Sequence, residues 1–242
     1  MKKSRTILFV ILFLSVVFVA PTQVTAQSNT SVAAVLSLDI QGNVEEFLEA
    51  LKPGIARINE IQPKSKIAVY QAEFAGSDVG TILVVTDHPS MAYMEEMRPK
   101  IASDEQLAKL WPTLEKFGIT LKARGLYLNR APEQDKDVDS PIVVLYGIDT
   151  HGHNDAYVEG SKKLHEQYYK VIPDGAVSIS EAMFTGETSG MIYIGVGSPS
   201  MAELETWDGK IANDAELTRL FAERDKIGAT IVSQSLLRDV TP

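Results

Sequence analysis

Two stretches of the chain, HPSMAYMEEMRPKIASDEQLAKL at 88–110 and SPSMAELETWDGKIANDAELTRL at 198–220, carry the same pattern 110 residues apart. Each contains Pro-Ser-Met-Ala near its start and Lys-Ile-Ala in its middle. The same offset aligns identical residues far outside these stretches: Asp39 with Asp149, Gly42 with Gly152, Phe74 with Phe184, and Gly118 with Gly228. Chance similarity does not keep one register from residue 31 to residue 240 without a gap, so the sequence predicts a tandem duplication.

Each copy is predicted to fold as βαββαβ. Apolar, partly β-branched runs predict the strands of the first copy at 33–39, 67–74, 81–86 and 120–128. Asn43, with Glu46 three residues later, predicts the start of a first helix. Ser103 and Asn213, each followed three residues later by Gln or Glu, predict capped helix starts farther along the two copies.

This order gives an α+β fold in which helices cover only one face of each four-stranded sheet. The other face must also be buried, and the second copy is the obvious partner. We therefore predict two ferredoxin-like modules, 31–130 and 141–240, joined by a polar linker at 131–140. Packed sheet against sheet, they would form an α/β barrel within one chain.

These features resemble the dimeric α/β-barrel superfamily, which includes antibiotic-biosynthesis monooxygenase-like, EthD-like and NIPSNAP-like domains. The resemblance lies in the strand order, the copy length and the transitions His88-Pro89-Ser90-Met91 and Ser198-Pro199-Ser200-Met201. It implies a barrel of a kind found in cofactor-free oxygenases, isomerases, haem proteins and proteins without known activity. It supplies no catalytic residue, because no catalytic motif of such a family is matched here.

The first 26 residues have the pattern of a signal peptide. Lys2, Lys3 and Arg5 precede an apolar run at 7–20, and Val24-Thr25-Ala26 resembles a cleavage site. The sequence thus predicts a periplasmic or secreted protein that is not held in a membrane after cleavage.

The composition narrows the range of partners. A formal net charge of −9 and an isoelectric point near 5.0 argue against nucleic-acid binding. The chain has no cysteine, which excludes disulfides and thiolate chemistry. Because one chain carries both sheets, a monomer is plausible.

Histidines are the first candidates for chemistry. His88, at the end of the third strand, is a candidate general base. Asp149, His151 and His153 form an Asp-x-His-x-His pattern typical of metal ligands. The simpler interpretations are a turn residue for His88 and a loop with a helix start for the metal pattern.

Polar strand residues are the second candidates. If their faces point into the barrel, Glu73 and Glu181 are candidate catalytic carboxylates. Under the same condition, the candidate ligand-binding residues are Gln71, Arg124, Tyr146 and Gln234. The alternative is that charges on edge strands guard against aggregation.

The sequence favours an exported small-molecule-binding barrel with no identified cofactor. Three alternatives stay open. One is a cofactor-independent oxygenase or isomerase, another is a haem or metal protein, and the third is a structural protein. Whether the chain is an enzyme is not decided by its sequence.

Overall fold

The computed structural model describes residues 30–131 and 140–242. The predicted signal peptide and nearly all of the predicted linker lie outside these residues. The first copy contains β1 (Val32–Ile40), α1 (Val44–Ile61), β2 (Lys66–Phe74), β3 (Ile82–His88), α2 (Met91–Ala102), α3 (Glu105–Leu114) and β4 (Ile119–Asn129). The second contains β5 (Ile142–Asp149), α4 (Asn154–Val171), β6 (Ala176–Ala182), β7 (Ile192–Ser198), α5 (Met201–Asn213), α6 (Ala215–Asp225) and β8 (Thr230–Asp239).

Hydrogen bonds connect the eight strands in the closed order β1-β3-β2-β8-β5-β7-β6-β4. The fold is therefore the predicted α+β barrel. No helix within the described residues combines the length and apolar character needed to cross a membrane.

The described part of the chain divides into two compact units. The first comprises residues 30–69, 81–124 and 241–242, and the second comprises 70–80, 125–131 and 140–240. The second unit thus includes two segments of the first copy. The reason is strand pairing: Tyr70 to Phe74 of β2 pair with β8, and Tyr127 to Asn129 of β4 pair with β6.

One of the predicted helix caps is correct, and two are displaced by one residue. The Asn43 side chain caps α1 by accepting a hydrogen bond from the Glu46 amide at 3.2 Å, as predicted. The predicted caps Ser103 and Asn213 are each wrong by one residue. Asp104 caps α3 and Asp214 caps α6 instead, because a carboxylate accepts well from the free amides of a first turn.

Asp104 also ties α3 to α1 within the first unit. Its Oδ1 accepts from the amides of Gln106 and Leu107 at 3.0 and 2.9 Å. Its Oδ2 accepts from Nε and Nη2 of Arg57 at 3.0 and 2.6 Å. In the second copy, Asp214 meets the neutral amide of Gln167 instead.

Each sheet has a helix-covered face and a helix-free face, because side chains alternate along a strand. In the second unit, Ile148, Ile179 and Ile192 pack with Tyr157 and Val158 of α4. In the first unit, Leu36, Leu38 and Val84 line one apolar interior with Phe47 and Leu51 of α1. These residues set which positions of every neighbouring strand face the helices.

A buried polar pair lies on the helix-covered side of the first unit. His88 pairs with Val32 across β1 and β3 and is only 6% exposed. Its Nδ1 lies 2.9 Å from the Ser65 hydroxyl. Burial lowers the pKa of His88 to about 4, because a charged imidazole is poorly hydrated there.

Replacing Asp104 by Asn should lower the melting temperature, and more at about pH 7 than at about pH 3. The Arg57 guanidinium holds the pKa of the Asp104 carboxyl below its ordinary range. The carboxylate therefore contributes stability above the ordinary carboxyl pKa, and this contribution is lost as pH falls through the lowered folded value. Asp214→Asn, whose partner is neutral, should show the smaller loss at about pH 7. Equal losses for the two variants would contradict the role given to Arg57.

Replacing His88 by Asn should make the protein less sensitive to acid. An unfolded histidine takes up a proton near its ordinary pKa of 6.5, whereas folded His88 does so only at about 4. The wild-type free energy of unfolding should therefore fall by on the order of 3 kcal/mol across this interval, and His88→Asn should remove most of that fall. Urea unfolding at about pH 7 and about pH 4 measures it. Exposed His153→Asn is the control and should keep the wild-type fall.

Candidate functional site

The helix-free face of the second unit carries mostly small residues. Strand registers fix its members. They are Val143, Leu145 and Gly147 on β5, Ala176, Ser178 and Ser180 on β6, Tyr193, Gly195 and Gly197 on β7, and Ser233, Ser235 and Leu237 on β8. The opposite face of the same strands carries the large aliphatic side chains that pack on the helices.

Glycines on this face make room for serine hydroxyls. A Cβ placed on Gly195 would lie 2.5 Å from the Ser178 hydroxyl, and one on Gly147 would collide with the Ser233 hydroxyl. Both serines are exposed to solvent. The face therefore carries a floor of glycine and serine in which the glycines are buried and water reaches Ser178 and Ser233.

Two tyrosines stand on the same face. The rings of Tyr127 and Tyr193 meet edge to face, with centroids 5.4 Å apart and planes at 88°. Burial, with a smaller effect of Tyr193, raises the pKa of Tyr127 to about 12. The Tyr127 hydroxyl therefore keeps its proton at physiological pH and is available as a hydrogen-bond donor.

Tyr146 and Gln234, two predicted ligand-binding residues, lie directly opposite each other on β5 and β8. Tyr146 packs beside Ile142, Val144 and the Ile148 cluster, which places both residues on the helix-covered face. Burial, with a smaller effect of Asp208, raises the pKa of Tyr146. The sequence predicts that these two residues bind a ligand only if their strand face points into the barrel. They lie on the helix-covered face instead.

Gln71 and Glu73 are held beside Arg238 of β8. Gln71 is the cross-strand partner of Arg238, and both carboxylate oxygens of Glu73 accept from its guanidinium, one of them at 3.1 Å. Arg238 in turn lies opposite Ile142, a helix-covered position. The predicted catalytic Glu73 is thus in a bidentate ion pair on that face.

Glu181, the other predicted carboxylate, joins three segments of the second unit. It accepts from the Arg130 guanidinium and, at 3.0 Å, from the Asn154 amide. Arg130 also binds Asp155, and Asn154 also donates to the Gly190 carbonyl at 2.8 Å. Each carboxylate oxygen of Glu181 therefore has a partner, which favours a structural role. Arg124, expected to lie near such a glutamate, is exposed on β4.

The Asp-x-His-x-His pattern brings two of its three residues together. Oδ1 of Asp149 accepts from the His151 amide at 2.8 Å, and Oδ2 lies 3.3 Å from His151 Nδ1. His151 Nε2 lies 3.3 Å from the Thr230 hydroxyl. His153 immediately precedes α4, and its side chain makes no capping hydrogen bond. Within residues 30–131 and 140–242, no three His, Cys, Asp or Glu residues are grouped so as to hold a metal ion.

The resemblance also implies haem binding as one possible function. None of the histidines is placed to act as an axial haem ligand on a helix-free face. An axial ligand is ordinarily a His, Cys, Met or Tyr side chain aimed at the iron. His88 is buried on the helix-covered side, and His165 lies within α4 with Nε2 2.8 Å from the Tyr169 hydroxyl. The other two lie in the β5–α4 loop, so none of the four histidines is on a helix-free strand face.

Asp87 is a residue that sequence reasoning missed. It neighbours His88 but points to the helix-free face of the first unit, opposite Ala33 of β1. Burial raises the pKa of its carboxyl group, against the attraction of Lys66. The alignment of the two copies carries the signal: Asp87 and Lys66 are charged, whereas the equivalent residues Gly197 and Ala176 are not.

Comparison with known proteins supports the fold alone. No protein-family model and no curated protein sequence matches the chain. A Fusobacterium nucleatum protein provisionally described as a monooxygenase matches with TM-score 0.57, 8% identity and coverage of 88% of this chain and 94% of the other. A similarly described protein from Lactobacillus acidophilus matches with TM-score 0.56, 10% identity and coverage of 87% and 93%.

A mutant chlorite dismutase from Candidatus Nitrospira defluvii matches with TM-score 0.51, 8% identity and coverage of 89% and 93%. At such low identity these likenesses carry no activity or ligand to this chain. They confirm that it has the dimeric α/β-barrel fold that the sequence predicted.

Proposed function

We propose that the protein binds a small, largely apolar organic molecule on the helix-free face of its second unit. The observation that carries this proposal is the floor of small residues in which exposed Ser178 lies directly against buried Gly195. A strand face built for packing alone would carry branched aliphatic residues, as the opposite face of these strands does.

The tyrosine pair supplies the rest of the site. Tyr127 and Tyr193 offer aromatic edges and faces beside the small residues. The protonated Tyr127 hydroxyl offers one fixed donor, and the Ser178 and Ser233 hydroxyls offer donors and acceptors. Such a mixture of apolar surface and few polar groups is typical of small-molecule sites.

The residues on this face favour binding over the alternatives that the sequence left open. The predicted catalytic glutamates are in ion pairs, and His88 is buried on the helix-covered side. The haem alternative lacks a histidine on the face. The floor of small residues around exposed Ser178 argues against a purely structural role, because an interface-only strand face has no reason to stay unpacked.

Filling the floor should weaken binding without unfolding the protein. Ser178→Leu is expected to weaken binding of the fluorescent probe 1-anilinonaphthalene-8-sulfonate by at least about fivefold, because the larger side chain covers Gly195. Fluorescence titration of the purified protein measures the dissociation constant. The expected melting temperature stays close to that of wild type, since Ser178 is exposed.

Gln234→Leu is the matched control for this experiment. Gln234 is also exposed and lies on a neighbouring part of the same sheet, but on the opposite face. It should bind the probe as wild type does. Wild-type protein that leaves the probe dark, or equal loss in both variants, would overturn the proposed site.

We also infer that the protein acts outside the cytoplasm. The basic start, apolar run and small residues before Gln27 support this inference. When the full-length chain is expressed in a secreting bacterial host, the intact mass of the exported protein should equal that of a chain starting at Gln27. Protein that is found in the membrane fraction with its first 26 residues still attached would contradict cleavage.

A further inference from the structure

The first half of β8 has a neighbouring strand on one side only. β5 pairs with β8 as far as Thr230, whereas the pairing with β2 ends where Phe74 lies opposite Leu236. Exposure changes at the same point, because residues 230–234 are exposed and Leu236 is buried. In the part of the chain that the structure describes, residues 230–235 therefore have no strand on the β2 side, and they form an open edge of the sheet.

The open edge presents backbone groups to another strand. Alternate residues of an antiparallel strand direct both N–H and C=O toward one neighbour, so the residues between them direct these groups away from β5. Edges of this kind are templates for pairing with another chain. The β5–β8 register skips Val232, and this bulge opposes such pairing. The side chains of the open edge, in contrast, favour it.

The duplication shows that the open edge lacks charges that its counterpart carries. Residues 120–124 of β4 read Thr-Leu-Lys-Ala-Arg, and the equivalent residues 230–234 read Thr-Ile-Val-Ser-Gln. Lys122 and Arg124 of the first copy are exposed. Charged side chains, lysine above all, keep natural edge strands from pairing with other chains. The open edge has valine and glutamine at these two positions and carries no charge.

Apolar side chains are exposed along the open edge and beside it. Ile231 is 60% exposed, Val232 53% and Phe74 70%. Ile231 lies opposite Ile148, and Phe74 lies opposite Leu236, so both belong to the helix-covered face. Their exposure shows that the helices do not extend over this end of β8. Exposed apolar side chains grouped in this way are typical of a protein–protein contact.

We propose that the open edge pairs antiparallel with the open edge of a second copy of this chain. Ile231 and Gln234 both lie on the helix-covered face, because they oppose Ile148 and Tyr146 of β5. Side chains of one face must meet across the new pair, which places Ile231 of each copy opposite Gln234 of the other. The two-fold axis then passes between residues 232 and 233, perpendicular to the sheet.

This register adds an apolar contact on each side of the axis. The strand of the second copy continues the line of β2 beyond Phe74. Its Ile231 lies two residue positions farther along on the same face, at about 7 Å between Cα atoms. The exposed ring of Phe74 is thus covered by an exposed aliphatic side chain, and the symmetry makes the contact twice.

A second copy fits the open edge because it brings no charge to it. Two copies of a chain with formal net charge −9 repel each other. The open edge lets them meet without placing like charges opposite each other, which residues 120–124 of the first copy would not allow. The barrel is closed within one chain, so this pairing joins two finished barrels.

Sedimentation velocity of the purified protein tests the proposal. Wild-type protein should be a dimer at about 100 µM and should dissociate on dilution. Val232→Lys introduces the residue that the first copy carries at the equivalent position, so the strand should tolerate it. It brings two ammonium groups together beside the axis and should raise the dimer dissociation constant at least about tenfold. Ala222→Lys, exposed on α6, adds the same charge elsewhere and should keep the wild-type constant.

Cross-linking locates the contact independently. The chain has no cysteine, so Val232→Cys supplies a single thiol beside the axis. A bismaleimide that spans about 8 Å should join two copies of this variant, and it should leave Ala222→Cys uncoupled. The proposal is overturned if wild-type protein is monomeric at about 100 µM, if Val232→Lys keeps the wild-type constant, or if Val232→Cys does not couple. Neither measurement needs a ligand, so its outcome is separate from that of the fluorescence titration.

Discussion

The structure depends on the strict alternation of side chains along strands that helices cover on one face only. Ile142, Val144 and Ile148 face the helices on β5, so Val143, Leu145 and Gly147 must face away. Cross-strand pairing then passes this choice to β7 along its whole register, and to β8 as far as the bulge between Gly147 and Ile148, because a shift by one residue would expose the aliphatic side chains. The two kinds of surface, one packed against the helices and one without helices, follow from this constraint.

The fold could be predicted because its signals are local and repeated. Strand runs, the Asn43 cap and the offset of 110 residues all lie within reach of a linear pattern. The helix starts at Asp104 and Asp214 were misplaced by one residue, since the neighbouring Ser103 and Asn213 also fit a capping box. Arg57 does not decide between them, because Asp214 caps α6 beside the neutral Gln167; in both copies the carboxylate is the group that accepts from the first-turn amides.

The candidate site is harder to predict because polar side chains do not mark the helix-free face of these strands. Tyr146, Gln234, Gln71 and Glu73 are polar, yet all lie on or beside the helix-covered face. Their partners explain this. Glu73 meets Arg238, 165 residues later, and Glu181 meets Arg130, so these charges are neutralised by contacts that no local pattern reveals. The helix-free face is marked instead by small residues, which a search for reactive groups overlooks.

Divergence between the copies shows how such a fold acquires one asymmetric set of polar groups. The first copy holds Gln62, Ser65 and His88 in a buried corner, and the second holds Ile172, Gly175 and Ser198 at the same positions.

The second copy fills this corner with Trp207, whose ring closely approaches Gly175; the equivalent of Trp207 in the first copy is Met97. In the first copy the buried imidazole of His88 has the Ser65 hydroxyl as its partner, and Gly175 offers no such hydroxyl in the second copy. Asp87, adjacent to His88 but on the opposite face, could change without disturbing this corner, because the pleat separates the two side chains.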